Sequence, residues 1–335
     1  MIKSLGFSSS LAFVAVLVLA AALPQASSVD TNRGELLVPR YGPTAVSDGT
    51  WVYVYGGAPR GARNGPDFMH DGLLSLIERV DPTSLKSEYF NNGLHRRANH
   101  GSAFADGSIV SCGGRTQVGL SRGRDSSCES LDLESGTFRE LPALPESVRT
   151  LGMVAAGDDL YAVGGLTESG HYSAATVRLA PEASAWERLA DMPLAREGKI
   201  VAVGRQLYAI GGYDGSAMRS VMVFDTEAEQ WERREDLPFG LSAHSLATDG
   251  DSIYLFGDYE RMNLIHRYEP GTGALYRLDQ QITPRRHTDA VAVAGRVLVV
   301  GGNQASAGQA TTLIEAFELE DLRTGGRRIG SVSSK

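Results

Sequence analysis

Apolar residues in this chain come in short runs, and six of those runs end on a glycine pair or its near equivalent. The runs occupy 51–57, 109–114, 160–165, 207–212, 253–258 and 297–302, closing on Gly56-Gly57, Gly113-Gly114, Gly164-Gly165, Gly211-Gly212, Gly257-Asp258 and Gly301-Gly302. Their first glycines step by 57, 51, 47, 46 and 44 residues. A fixed period in that range marks a repeat architecture, each copy being one supersecondary unit. Ahead of each run stands a turn such as Asp48-Gly49 or Gly204-Arg205, and ahead of the turn another apolar strand, as at 200–203 and 290–293. Two short strands across a glycine turn predict a β-hairpin. A third strand follows the glycines, clearest at 221–225. Six residues after Asp225, Trp231 opens a fourth that ends at Leu237-Pro238; the steps from Ala180 to Trp186 and Asp132 to Phe138 repeat this. Four antiparallel strands per repeat predict one propeller blade each.

The pattern resembles the Kelch repeat over residues 34–320. The fourth copy carries the fullest set of markers: Met192-Pro193, Arg196, Gly211-Gly212, Phe224-Asp225 and Trp231. The resemblance implies an all-β fold, a six-bladed Kelch-type β-propeller with four antiparallel strands per blade. The fifth copy departs, with Asp258 for the second glycine and Leu275 at the tryptophan position. The last copy supplies three strands, and residues 35–38 stand where a fourth would, so the N-terminal strand is expected to complete the last blade and remove an open edge. Residues 323–335 read as a polar C-terminal tail. Trp186, Trp231 and the glycine pairs are expected to be structural.

Strand order places the longer second-to-third-strand loops on one face, where 58–71 and 115–127 are insertions. Arg40, Arg97, Arg149, Arg196 and Arg286 recur near the start of the first strands, with Leu241 at that place in the fifth copy. They are expected to ring one channel mouth, with Arg60, Arg63, Arg115, Arg122, Arg124, Tyr213 and Tyr259 nearby. Guanidinium forks match carboxylates bidentately. Composition sharpens the point. Of 32 basic residues only four are lysine, yet the 40 acidic residues leave a net charge of −8. That balance argues against a nucleic-acid partner, so the arginines would act as a local anion field on an acidic protein.

The first residues read differently. Lys3 precedes an unbroken apolar run of 13 at 11–23, too short to span a bilayer and suited to an export signal. Residues 1–28 are expected to be that signal, cleaved near 22 or 28, leaving a periplasmic or secreted monomer with no membrane insertion. The two cysteines, Cys112 and Cys128, flank the second insertion on adjacent predicted strands, and an oxidising compartment favours their pairing. The seven histidines show no metal-ligand spacing; His70 with Asp67 and Asp71 is the best local cluster and reads as a solvated loop. Neither a metal nor a cofactor is expected.

Function is read as a binding module that presents the arginine-rich loop face to a partner protein or an anionic carbohydrate. Two enzyme classes share the architecture. Sialic acid mutarotases need a positioned acid and base, for which Arg149, Arg196 and either Glu168 or Glu197 are the candidates. Galactose-oxidase-like copper radical oxidases need a Tyr-His dipeptide that this chain lacks. The reading leans away from an enzyme.

Overall fold

A computed structural model describes residues 32–59, 72–93, 95–118, 121–304 and 309–329. The expected export signal, His70 with Asp67 and Asp71, Arg60 and Arg63 lie outside the described residues, as does the side chain of Arg122. The described chain is almost wholly strand. Six sheets of four or five antiparallel strands follow one another along the sequence. The first holds Thr44–Ser47, Val52–Tyr55, Leu76–Val80 and Ser87–Asn92; the second Gly101–Ala105, Ser108–Cys112, Cys128–Asp132 and Phe138–Leu141. The third holds Gly152–Ala156, Asp159–Val163, Thr176–Leu179 and Glu187–Arg188; the fourth Val201–Val203, Gln206–Ile210, Val221–Asp225 and Gln230–Arg233. Each second strand is the apolar run recognised in the sequence and is buried along most of its length, as a strand covered on both faces should be.

The innermost strands contact one another in sequence order, and Asp289–Val293 of the sixth sheet returns to contact Thr44–Ser47 of the first. Between sheets lie the apolar layers. Trp186 packs among Leu144, Val148 and Val177 and donates its indole N–H to the Pro142 carbonyl at 2.8 Å. Trp231 donates to Thr176 Oγ1 at 2.9 Å from the next sheet. A ring bonded to the neighbouring sheet fixes the angle between sheets as well as their separation.

Both ends of the described chain are paired. Arg33–Arg40 lies antiparallel to Thr311–Glu318, as the missing strand of the last copy requires. The other end departs from expectation. Residues 323–329 are not a tail: a short helix, Leu319–Thr324, buries Leu322, and Arg327–Ile329 pairs with Ala274–Gln281 as a fifth strand of the fifth sheet. Ile329 sits opposite Leu275, so an apolar contact hidden among polar neighbours holds the segment.

Cys112 and Cys128 face each other across adjacent strands of the second sheet and form a disulfide. It closes the base of the second insertion. That insertion is a hairpin of Arg115–Val118 and Ser121–Arg124, which also pairs with Arg97–Ala98. The hairpin leans on the segment that follows the second strand of the third sheet, where the Arg124 N–H donates to Glu168 Oε2 at 2.9 Å and its guanidinium to the Thr167 carbonyl.

Candidate functional site

Each innermost strand is entered through four residues, and main-chain hydrogen bonds align the six entries position by position. At the first position stand Arg40, Arg97, Val148, Arg196, Leu241 and Arg285. The carbonyls of the first five accept N–H groups from Gly302, Gly57, Gly114, Gly165 and Gly212 of the preceding sheet at 2.8–2.9 Å. This stitch is what the glycine pair serves. Gly164 has φ +65°, and a Cβ there would come within 2.6 Å of the Arg196 carbonyl.

This alignment corrects the expected arginine ring. Arg40, Arg97 and Arg196 are buried and turn into the sheets whose innermost strands they precede. Arg40 Nη1 donates to the Gly56 carbonyl at 3.0 Å and Nη2 to Glu78; Arg97 Nη1 donates to Gly113 at 2.8 Å, with Glu129 3.2 Å from its Nε. Arg196 donates to Gly211 at 2.6 Å and to Ser220 Oγ at 2.9 Å. In the sixth sheet the matching residue is Arg285, bonded to Gly301 and Glu315, rather than Arg286. A guanidinium spent on buried carbonyls and carboxylates is not offered to a ligand.

Arg149 and Arg286 stand one position later, with Tyr41, Ala98, Glu197 and Ser242. This second position faces the mouth. Three of its residues, Arg149, Glu197 and Ser242, line a cavity of about 460 Å³ together with Lys199, Tyr213, Asp258 and Tyr259. Arg149 Nη2 lies 3.7 Å from Glu197 Oε2, with the two side chains 29% and 18% exposed. Burial raises the Glu197 carboxyl above its ordinary value, while Arg149 pulls the other way. Arg286 stacks its guanidinium 3.8 Å over the Tyr259 ring. Tyr213 meets Tyr172 edge to face, 6.1 Å between centroids. Of the remaining expected residues, Arg115 is bound to the Tyr41 hydroxyl at 3.2 Å, outside the cup lining.

Lys199, which sequence reasoning passed over, sits at the cup floor. Its Nζ is 3.1 Å from Asp289 Oδ2, across the space between the fourth and sixth sheets. The pair divides the cup from a second cavity of about 380 Å³, walled by Ala45, Ala103, Val154, Val201, Ala247 and Val291 of the innermost strands. Lys199 borders both. Alignment on the residue after the arginine position would have found Arg149, Glu197 and Arg286 together, and Lys199 two residues beyond Glu197.

The third position makes a further structure. Gly42, Asn99, Thr150, Gly198, Ala243 and His287 pass hydrogen bonds around the mouth: Asn99 N–H to Gly42, Thr150 to Asn99, Gly198 to Thr150, His287 to Ala243 and Gly42 to His287, at 2.6–3.0 Å. Gly42, Asn99, Thr150, Ala243 and His287 all have φ between +52° and +61°. Among the described residues no group of histidine, cysteine and acidic side chains could hold a metal.

The sheets, the innermost strands that meet in a cycle and the cavity at their mouth define a β-propeller with a cup on one face. The Kelch motif model matches residues 96–145 and 198–238, so the chain carries Kelch motifs over those residues. It is similar to Kelch-like protein 35 of Mus musculus, 29% identical over 50% of this chain and 29% of that protein. It is likewise similar to Kelch-like protein 25 of Xenopus tropicalis, 27% identical over 71% of this chain and 40% of that protein. This chain thus spans well under half the length of these relatives. The solved structure of YjhT superposes with a TM-score of 0.72 over 88% of this chain and 99% of that one, at 14% identity, a likeness of fold.

Proposed function

We propose that this Kelch-repeat interaction module binds a small anionic carbohydrate, a sugar acid, in the cup at the mouth of the innermost strands. The observation that carries the reading is the placement of Arg149 and Lys199 in the lining of one cavity with Tyr213 and Tyr259. Two cations supply the carboxylate subsite and the tyrosines supply apolar faces for a sugar ring. The cup's volume favours a small ligand over a protein partner, which would call for a broad surface. The six sheets are taken as six blades, closed by the N-terminal strand. Export belongs to the same proposal and is supported by the Cys112–Cys128 disulfide. Calorimetric titration with glucuronic, galacturonic and sialic acids tests it. Binding that Arg149→Ala weakens at least tenfold is expected; no binding of any acid, with a protein recovered by pull-down instead, would overturn it.

A second reading, anomer exchange of the sialic acid mutarotase type, is favoured by the Arg149–Glu197 pair. Sugar ring opening needs a proton delivered to the ring oxygen and another taken from the anomeric hydroxyl. A carboxyl raised by burial holds its proton more readily than an ordinary one and is better suited to deliver it. Exchange spectroscopy on the bound sugar, compared between the natural protein and Glu197→Gln, decides it: equal anomer exchange in both ends this reading and leaves binding intact.

A further inference from the structure

The main-chain ring at the mouth is open at one place. Five of its six links are made, and among the described residues no hydrogen bond joins the Ala243 N–H to the Gly198 carbonyl. The cause is local. Gly198 does not share the positive φ of the other five third-position residues, so its peptide leaves the geometry that the ring repeats. Among the described residues, no group accepts from Ala243 N–H or donates to the Gly198 carbonyl in place of the missing link. Both residues line the cup, between Glu197 and Lys199 on one side and Ser242 and Tyr259 on the other. The break also falls at the fifth copy, where the sequence has Leu241 for arginine and Asp258 for glycine.

We propose that this open link is the cup's hydroxyl-recognition site: one ligand hydroxyl accepts from Ala243 N–H and donates to the Gly198 carbonyl, completing the ring. The chemistry selects the group. A carboxylate can accept but cannot donate, and an ammonium can donate but cannot accept; a hydroxyl does both through a single oxygen. A main-chain donor and acceptor left without partners in a partly enclosed wall gain most from a ligand that satisfies both. The carboxylate subsite lies beside the same gap, because Lys199 follows Gly198 directly. The ligand class is therefore a hydroxy acid on a ring, with one hydroxyl placed to bridge the gap while the carboxylate meets Lys199 and Arg149. This inference rests on the sugar-acid reading above and makes it more specific.

The test is amide exchange followed by NMR on the whole chain, selectively 15N-labelled, with glucuronate as probe. In the free protein the Ala243 amide is expected to exchange at least tenfold faster than those of Gly42, Asn99, Thr150, Gly198 and His287. Saturating glucuronate should slow it at least tenfold. One monodeoxy glucuronate should bind at least tenfold more weakly and fail to protect Ala243. An Ala243 amide already as slow as the other five in the free protein overturns the inference alone. So does glucuronate that binds in an Arg149-dependent way while leaving Ala243 exchange unchanged. Failure of every sugar acid to bind overturns both the inference and the reading beneath it.

Discussion

Arg40 and Glu78 form an ion pair in which both side chains are wholly shielded from solvent, 38 residues apart in sequence, with Arg40 at the entry to the first sheet and Glu78 on that sheet's third strand. The relationship recurs as Arg97 with Glu129 and Arg285 with Glu315. Register explains why these are the same pair three times: Glu78, Glu129 and Glu315 stand at matching places on the third strands, where the third and fourth sheets have Val177 and Met222. The third sheet replaces both members with valine, Val148 and Val177. The fold thus tolerates a charged pair or an apolar pair at one place. Removing one member is another matter, since a buried charge without its partner costs about 3–5 kcal/mol. Glu78→Gln should lower unfolding free energy by roughly that amount in urea, and Arg40→Met with Glu78→Leu should recover most of the loss.

Arg196 is the exception, a buried arginine with no carboxylate partner among the described residues. Burial lowers its guanidinium to about 10. Met222→Glu would bring a carboxylate to the register place occupied by Glu78 in the first sheet. It should be tolerated, with a loss of no more than about 1–2 kcal/mol. The same change at Val177, opposite Val148 and with no arginine to meet it, should cost several kcal/mol, on the order of an unpaired buried charge. Equal losses at the two sites would remove the pairing argument.

The disulfide closes a loop with a sequence separation of 16. In the chain-entropy account a loop of that size is worth about 3 kcal/mol. Thermal melts with and without reductant, and of the Cys112→Ser, Cys128→Ser double variant, should show this loss. The Arg124 contacts to Thr167 and Glu168 should loosen as well, seen as faster amide exchange at Arg124.

His100, His244 and His266 are buried and neutral; burial lowers all three, the latter two to about 4. Their folded values lie below the unfolded 6.5, so the unfolded chain binds protons first as pH falls. Stability from these residues is complete above pH 6.5 and is lost as pH drops toward about 4. Urea midpoints measured across that window should fall, and His266→Asn should flatten part of the slope.

Glu197 runs the other way. Its folded carboxyl is raised above the usual 4.5, so it takes up a proton in the cup at a pH where the unfolded chain would not. Loss of its negative charge beside Arg149 favours an anionic ligand. Sugar-acid affinity should therefore weaken as pH rises through the raised value, and Glu197→Gln should abolish that dependence. Titrations from pH 5 to 8 measure it.

Much of this architecture is legible before any coordinates. The glycine pairs locate the second strands because a carbonyl of the next sheet leaves no room for a Cβ, and residues 35–38 fall where a strand is wanting. The site is harder to read, for a reason visible at Arg149. Neighbouring residues of an extended chain point in opposite directions, so aligning on arginine identity instead of on the hydrogen-bonded entries put Arg149 and Arg286 in one class with Arg40. One residue separates a guanidinium buried against a carbonyl from one at a cavity. The strand Arg327–Ile329 was hidden for a different reason: its only apolar residue, Ile329, lies among arginines and glycines.

The pairing of Arg33–Arg40 with Thr311–Glu318 joins segments about 280 residues apart. During synthesis the first of these strands must wait, without its partner, until nearly every other element has left the ribosome. Contacts so distant in sequence are entropically costly to close and form late. The last sheet therefore works as a clasp, and what it guards is an order of events: nothing can fasten it before Thr311–Glu318 has been made.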